Sequence, residues 1–378
     1  MIDRNQILDN FIKYLVDSRL PILPVKKDFK IGCIGSGFIM KDCQIPAYKS
    51  AGFHVSCIAS RSKDKAREVA LDHNIPVVFD SIDEMLEYGD FDILDIAVPP
   101  EAQPEIIMKA LEQSKKLRGI LAQKPLAMDL LTAKKLVNAC KQKSVVLAVN
   151  QNMRFDQSVR VAKFLLNSGK LGDIVLATIE MRAIPHWMPW AQGLKSLSTF
   201  IMSIHHLDTF RYWLGNPNRV FASTTKDPRT KFSHTDGVNL YILEYDSGAR
   251  ASSWDDVWAG PSKEGAGEDI YIRWRIEGTL GMAKGTIGWP KYPEKIPSTL
   301  EFTTVGDNGK WHSPAWNEVW FPDAFVGTMA QLLRAVELGI EAEISGDDNL
   351  LTIALCEAVM ISASTHQAIN PSALIESN

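Results

Sequence analysis

From Ile31 to Val149 short apolar runs alternate with amphipathic helical patterns, and this alternation restricts the fold more than any other feature of the chain. Residues 31–34, 55–59, 77–79, 93–98, 119–122 and 145–149 read as buried strands. Residues 43–51, 63–73, 82–86, 105–113 and 130–141 read as the helices between them. Strands separated by helices lie parallel, with the helices covering both faces of the sheet, so this half is a doubly wound α/β unit.

At the first strand-to-helix junction stands Lys30-Ile-Gly-Cys-Ile-Gly35-Ser36-Gly37-Phe38-Ile39-Met40. A glycine at the first position permits the sharp turn. A glycine at the second lets a pyrophosphate approach bare N–H groups at the positive end of the next helix. Both are present, and Met40 stands where the third glycine of the pattern would bring helix and strand together. This stretch therefore reads as a dinucleotide site. At the end of the second strand a carboxylate would accept the ribose hydroxyls of NAD, whereas the sequence there is Ala59-Ser60-Arg61-Ser62 with Lys63 and Lys65 beyond. Ser60 and Arg61 favour NADP over NAD, although Arg61 also suits a solvated helix start with NAD bound through backbone contacts.

The pattern changes after Asn150. A helix at 158–166 precedes a long strand at 174–182, a loop holding Pro185, His186, Trp187, Pro189 and Trp190, and a helix at 204–214. Alternating runs at 220–225, 238–245, 249–257, 270–277, 282–287 and 300–304 then follow without helices. Such strands imply an α+β domain with a large open, mainly antiparallel sheet. Two helices, 324–338 and 349–369, end the chain, and a return of the last to the first domain is one expectation. Residues 1–28 form an amphipathic extension with Ile7, Leu8, Phe11, Ile12, Leu15 and Val16 at helical spacing. The expected division is thus 1–28, 29–150 and 151–378. A length of 378 residues supports two cores rather than one.

A formal charge of −4 without long Lys/Arg runs argues against nucleic acid and anionic membranes as partners. Cys33, Cys43, Cys57, Cys140 and Cys356 are scattered and odd in number, which fits a reducing compartment and neither a disulfide framework nor a zinc site. His54, His73, His312 and His366 show no metal-ligand spacing, so no metal is expected. With no signal-like N-terminus and no apolar run near the ~20 residues that cross a bilayer, a cytoplasmic location is expected.

Gln123-Lys124-Pro125 follows the fifth strand, at the carboxyl edge where open α/β sheets hold ligands. An ammonium there can hydrogen-bond a substrate hydroxyl and favour its oxyanion as hydride leaves. The order of features resembles the Gfo/Idh/MocA family of NAD(P)-dependent oxidoreductases. Its carriers are the glycine turn, Ala97-Val98-Pro99-Pro100, Gln-Lys-Pro, Asn152-Met153-Arg154-Phe155, and His205-x-x-Asp208 in SIHHLDTFRYWLG. Ile276-Glu-Gly-Thr-Leu-Gly281 and the segment from Ile344 to Gln367 are also similar.

The resemblance implies a Rossmann-type fold and hydride transfer between a nicotinamide and a carbinol or carbonyl carbon of a sugar, polyol or related cyclic compound. It implies that Lys124 and His205 are catalytic, the latter as general acid/base, a role suited to imidazole. Gly35, Gly37, Phe38, Ile39, Ser60, Arg61, Pro99 and Gln123 would line the coenzyme, and Asn152, Arg154 and Asp208 the substrate. His186 and Trp187, with Trp190 and His206, would offer an aromatic platform and polar anchors for a sugar ring, or else fill an apolar interface. Gln123 replaces the family's usual Glu, Gln103 a frequent histidine, and Ile201 an aspartate common in sugar and polyol dehydrogenases. These departures leave two further readings open: a redox-assisted glycoside hydrolase or lyase, and a non-enzymatic ligand sensor. The open sheet is expected to form a homodimer or homotetramer.

Overall fold

The computed structural model describes residues 4–183, 188–258, 269–288 and 294–376. The chain separates into two compact units, one of residues 21–152 and 322–353, the other of 1–20, 153–321 and 354–378.

In the first unit a six-stranded sheet is parallel throughout, in the order β3-β2-β1-β4-β5-β6. Its strands are β1 (Ile31–Ile34), β2 (Val55–Ala59), β3 (Val77–Val78), β4 (Ile93–Ile96), β5 (Gly119–Ala122) and β6 (Val146–Val149). Every residue of β1, β4 and β5 is buried, as expected of a sheet covered on both faces. The helices between them are α2 (Ile45–Ala51), α3 (Lys63–His73), α4 (Ile82–Tyr88), α5 (Gln103–Gln113) and α6 (Leu130–Gln142). Side-chain caps set three of the starts: Ser62, Ser81 and Asp129 accept from Lys65 N, Glu84 N and Thr132 N. The late helix α9 (Ala324–Leu338) packs on β5 and β6. Gly119 makes room for it: a Cβ there would stand 2.9 Å from both Leu332 and Val336.

In the second unit seven strands form a mixed sheet in the order β13-β12-β11-β7-β10-β9-β8. They are β7 (Ile174–Arg182), β8 (Arg219–Thr225), β9 (Val238–Glu244), β10 (Arg250–Asp256), β11 (Tyr271–Gly278), β12 (Gly281–Thr286) and β13 (Thr299–Thr304). The pairing of β7 with β10 is parallel and the others are antiparallel, which makes the sheet mainly antiparallel, as expected. Helices α7 (Gln157–Asn167) and α8 (Ile204–Leu214) lie on one face. Trp213 of α8 meets Trp274 of β11 edge-on at 5.3 Å, and Trp274 Nε1 donates to Ser158 Oγ of α7 at 3.1 Å. The opposite face stays open, with Phe221, Leu240 and Ile242 exposed. A groove of about 390 Å³ on that face is lined by Glu180, Arg273, Arg275, Lys284 and Glu301 among others.

The amphipathic extension is a helix, α1 (Arg4–Asp17), that belongs to this second unit. Phe11 packs against Phe164 of α7 and Phe302 of β13, and Leu15 is fully buried. Arg19 just beyond it forms a two-pronged ion pair with Glu318 at 2.9 and 2.8 Å, worth up to about 1 kcal/mol at this partial exposure. The remaining helices are α10 (Gly346–Thr365) and α11 (Pro371–Glu376). Among the described residues no helix is long and apolar enough to cross a membrane, and no cluster of three metal-type ligands occurs. All five cysteines are buried thiols.

Candidate active site

The coenzyme half is built in the first unit around the turn after β1. Gly35 adopts φ +115°, where side chains are strained, and a Cβ on it would lie 2.2 Å from Ala97 O at the end of β4. A Cβ on the exposed Gly37, by contrast, would meet nothing within 4 Å, so backbone is open to a ligand there. The helix opens at Ile39 with Lys41 N donating to Gly37 O at 2.8 Å. Its first stretch, Ile39–Gln44, is a π-turn that continues into α2. The widened turn coincides with Met40, the buried side chain that replaces the third glycine. These features fit a dinucleotide pyrophosphate laid over Gly35–Gly37, next to Phe38 and Ile39.

At the neighbouring strand end Ser36 Oγ and Ser60 Oγ lie 2.8 Å apart, and Ser62 N donates to Ser60 Oγ at 3.4 Å. Arg61 is exposed and forms no ion pair among the described residues, whereas Lys63 is bound to Asp80. The rim of β2 thus presents hydroxyls and a guanidinium.

The Gln123-Lys124-Pro125 loop leaves the end of β5 with a cis bond between Lys124 and Pro125. It is gripped by one side chain, that of Gln103 at the start of α5, which is fully buried. Gln103 Nε2 reaches the carbonyls of Gln123, Pro125 and Leu126 at 2.9, 3.1 and 3.1 Å, and its Oε1 accepts from Gln123 N at 2.6 Å. Sequence reasoning noted Gln103 only as a substitution; its work is to set the backbone on both sides of Lys124. Pro99 lies in the turn between β4 and α5, where its carbonyl accepts from Ala102 N at 3.0 Å.

In the second unit, His205 lies in the first turn of α8, 5% exposed, with its ring edge-on to Trp320 at 5.7 Å. One turn on, Asp208 takes both prongs of Arg154, Nε to Oδ2 at 2.6 Å and Nη2 to Oδ1 at 2.7 Å. Arg211 Nη1 stands 3.7 Å from the same carboxylate, and the Arg154 guanidinium lies 5.7 Å from the Tyr212 ring centre. Two residues expected separately as substrate contacts are thereby one buried pair. Asn152, where the first unit hands the chain on, is also buried, at the start of a short 3₁₀ turn, Asn152–Phe155.

His206 is placed differently from the polar anchor expected of it. Consecutive helical residues point about 100° apart, so His205 and His206 cannot share a direction. His206 is fully buried toward the sheet, with Nδ1 2.9 Å from Asp255 Oδ1 on β10. Ser203 Oγ donates to the other oxygen of Asp255, and Asn239 Nδ2 donates to Ser203 Oγ at 3.0 Å and to Thr199 Oγ1 at 3.1 Å. Asp236 accepts from Leu197 N and Thr199 N at 2.7 and 2.8 Å. These buried side chains brace a second π-turn, Thr199–Ser203, which carries the buried Ile201 into α8. Asp236, Asn239 and Asp255 escaped sequence reasoning; for Asn239 and Asp255 the polar in-facing positions of strands β9 and β10 were the available signal. His186 and Trp187 lie outside the described residues.

Residues 29–151 match the oxidoreductase family model with the NAD-binding Rossmann fold, and residues 159–284 match the GFO/IDH/MocA C-terminal domain. The chain is 26% identical over 357 residues to a D-apiose dehydrogenase of Rhizobium rhizogenes, covering 92% of this chain and 99% of the relative. It is 24% identical over 345 residues to D-xylose 1-dehydrogenase (NADP(+)) 2 of Haloferax volcanii, with 89% and 98% covered. An oxidoreductase structure from Agrobacterium radiobacter, solved with NAD+, L-tartaric acid and magnesium, superposes with a TM-score of 0.79 at 23% identity, over 92% of this chain and 99% of that one. Glycine turn, loop lysine, helical histidine and both family matches agree, and the chain belongs to the GFO/IDH/MocA family of NAD(P)-dependent oxidoreductases.

Proposed function

We propose that this enzyme oxidises a secondary or hemiacetal hydroxyl of a sugar, or reduces the corresponding carbonyl, with NADP preferred over NAD. The grip of Gln103 on the Lys124 loop carries this reading, because a lysine held this firmly at a strand's carboxyl edge is suited to positioning, not solvation. Relatives that act on apiose and xylose support the substrate class. The coenzyme, when bound, supplies the hydride acceptor or donor at C4 of its nicotinamide. Lys124 donates a hydrogen bond to the substrate oxygen and stabilises its developing negative charge, while His205 takes the hydroxyl proton during oxidation and returns it during reduction. Arg154, fixed by Asp208, orients a further substrate hydroxyl. Ser36, Ser60 and Arg61 form the rim that receives the 2′-phosphate of NADP.

The dehydrogenases and reductases among the relatives favour net redox turnover over the elimination route and over a ligand sensor. We further infer a cytoplasmic homo-oligomer joined through the open sheet face, which carries exposed apolar residues on β8 and β9 and a charged groove on β7 and β11–β13. The test is nicotinamide absorbance with a panel of pentoses, hexoses, polyols and glycosides and each coenzyme in turn. Lys124→Ala should lose roughly 10²–10⁴-fold in kcat while still binding coenzyme. Wild-type turnover in that variant would refute the role of Lys124.

A further inference from the structure

Beneath the glycine turn lies a polar cluster that the reaction does not use. Asp95 is on β4, opposite Cys33 on β1 and Leu121 on β5, and is fully buried. Its Oδ1 accepts from Gln44 Nε2 at 2.8 Å and its Oδ2 from Tyr48 Oη at 2.7 Å. Gln44 is the last residue of the π-turn and Tyr48 lies one turn along α2. A single carboxyl thus ties the helix of the glycine turn to the sheet, in the turn where the buried Met40 replaces the third glycine.

We propose that Asp95 is a proton-linked positioning residue for the coenzyme: it fastens this helix to the sheet and takes up a proton as the pyrophosphate settles over Gly35–Gly37. The inference rests on the coenzyme site described above. Asp95 stands two residues before Ala97, whose carbonyl abuts Gly35, a separation of about 7 Å along the strand. Negative charge arriving at the turn therefore acts on the carboxyl through protein interior, where screening is weak. The titratable groups facing it among the described residues are the Tyr48 phenol and the Cys33 thiol, both pushed upward by burial and, secondarily, by Asp95 itself. Neither carries charge near neutrality. Burial lifts Asp95 from 3.8 to about 7 against the lowering effect of its two hydrogen bonds, so the proton is exchangeable under ordinary conditions. Gln44 Oε1 is buried without a partner, and a half-turn of the amide would offer it as the acceptor for the new O–H.

The experiment is isothermal titration of the full-length protein with NADP+ and with NAD+ in buffers of differing ionisation enthalpy, comparing wild type with Asp95→Asn. The coenzyme's own titration is common to both proteins and cancels in the difference. For an upward shift on the order of one pKa unit, wild type takes up about half a proton more than the variant at pH 7.5. Equal uptake in two proteins that both bind coenzyme overturns the proposal, while binding of neither coenzyme to wild type overturns the coenzyme reading itself. Should Asp95→Asn not fold, Tyr48→Phe serves. Loss of the phenol's hydrogen bond raises Asp95 further, so the pH of maximal uptake moves upward, and an unmoved maximum overturns the proposal.

Discussion

Replacing Gln103 by Leu keeps approximately the same volume and removes every polar contact that the side chain makes to the Lys124 loop. One amide group has two protons for three carbonyls, so two full bonds or their equivalent are lost on the donor side, and the bond from Gln123 N on the acceptor side. At about 1 kcal/mol net per bond the loss is roughly 3 kcal/mol, more if the buried carbonyls find no water. Leucine retains the apolar packing at the head of α5, so the loss concentrates in the loop. A displacement of Lys124 by about 1 Å costs on the order of 10²-fold in rate. The expected result is a kcat reduced roughly 10- to 100-fold, with coenzyme affinity within a few-fold of wild type, because the glycine turn is untouched. Steady-state kinetics would be measured well below the variant's unfolding temperature, with coenzyme affinity from fluorescence titration. A folded Gln103→Leu enzyme with kcat within two-fold of wild type would show that the loop holds its lysine without this grip.

Three further outcomes follow from the same geometry. Arg61→Glu should raise the NADP KM roughly 10- to 100-fold, the loss of a charge-assisted contact worth about 1.5–3 kcal/mol, while sparing NAD; parallel changes for both coenzymes would count against Arg61 as phosphate partner. Asp208→Asn leaves the Arg154 guanidinium buried without its carboxylate and should destabilise the fold by about 3 kcal/mol in urea titrations. The double variant with Arg154→Leu should cost less than the sum of the singles, and strict additivity would deny the pairing. Asp156, which caps α7, is raised from 3.8 to about 6 chiefly by burial, against hydrogen bonds from Ser298, Ser158 and Val159. Between those values the folded chain holds more protons than the unfolded one, so this group's contribution to stability falls as pH rises through that window and is level above it. Relative to wild type, Asp156→Asn should therefore gain about 2 kcal/mol between pH 4 and pH 7; a pH-independent difference refutes the shift.

Much of the parallel sheet was legible because its signals are local. Helix α3, from Lys63 with its Ser62 cap to His73, and strand β5 run as their patterns predict, as do β7 and α8. The first helix was not: its pattern predicts a start at Cys43, whereas the chain turns helical at Ile39 in a π-turn that accommodates Met40. Strand alternation carries burial but no direction, so the parallel seam between β7 and β10 could not be read from Val175 or Ser252. The site follows the same division. Gly35, Gly37 and Lys124 announce themselves by their immediate neighbours. Gln103 acts on a loop 20 residues away, Arg154 meets Asp208 across 54, and Gln44 meets Asp95 across 51. Asp95 sits in the apolar run of β4, which hides it, and only packing reveals which side chains answer the Asp95 and Asp255 carboxylates.

The helix seated on Gly119 has a consequence for how the protein is made. Residues 322–353 group with 21–152, so the first sheet awaits a piece of chain that leaves the ribosome after more than 150 intervening residues. Until then the strand surface that Leu332 and Val336 will cover stays wet, and a nascent chain stopped at Asn152 displays it to its neighbours. Expression of that fragment alone should yield inclusion bodies, and supplying residues 322–353 as a separate peptide should draw part of it back into solution.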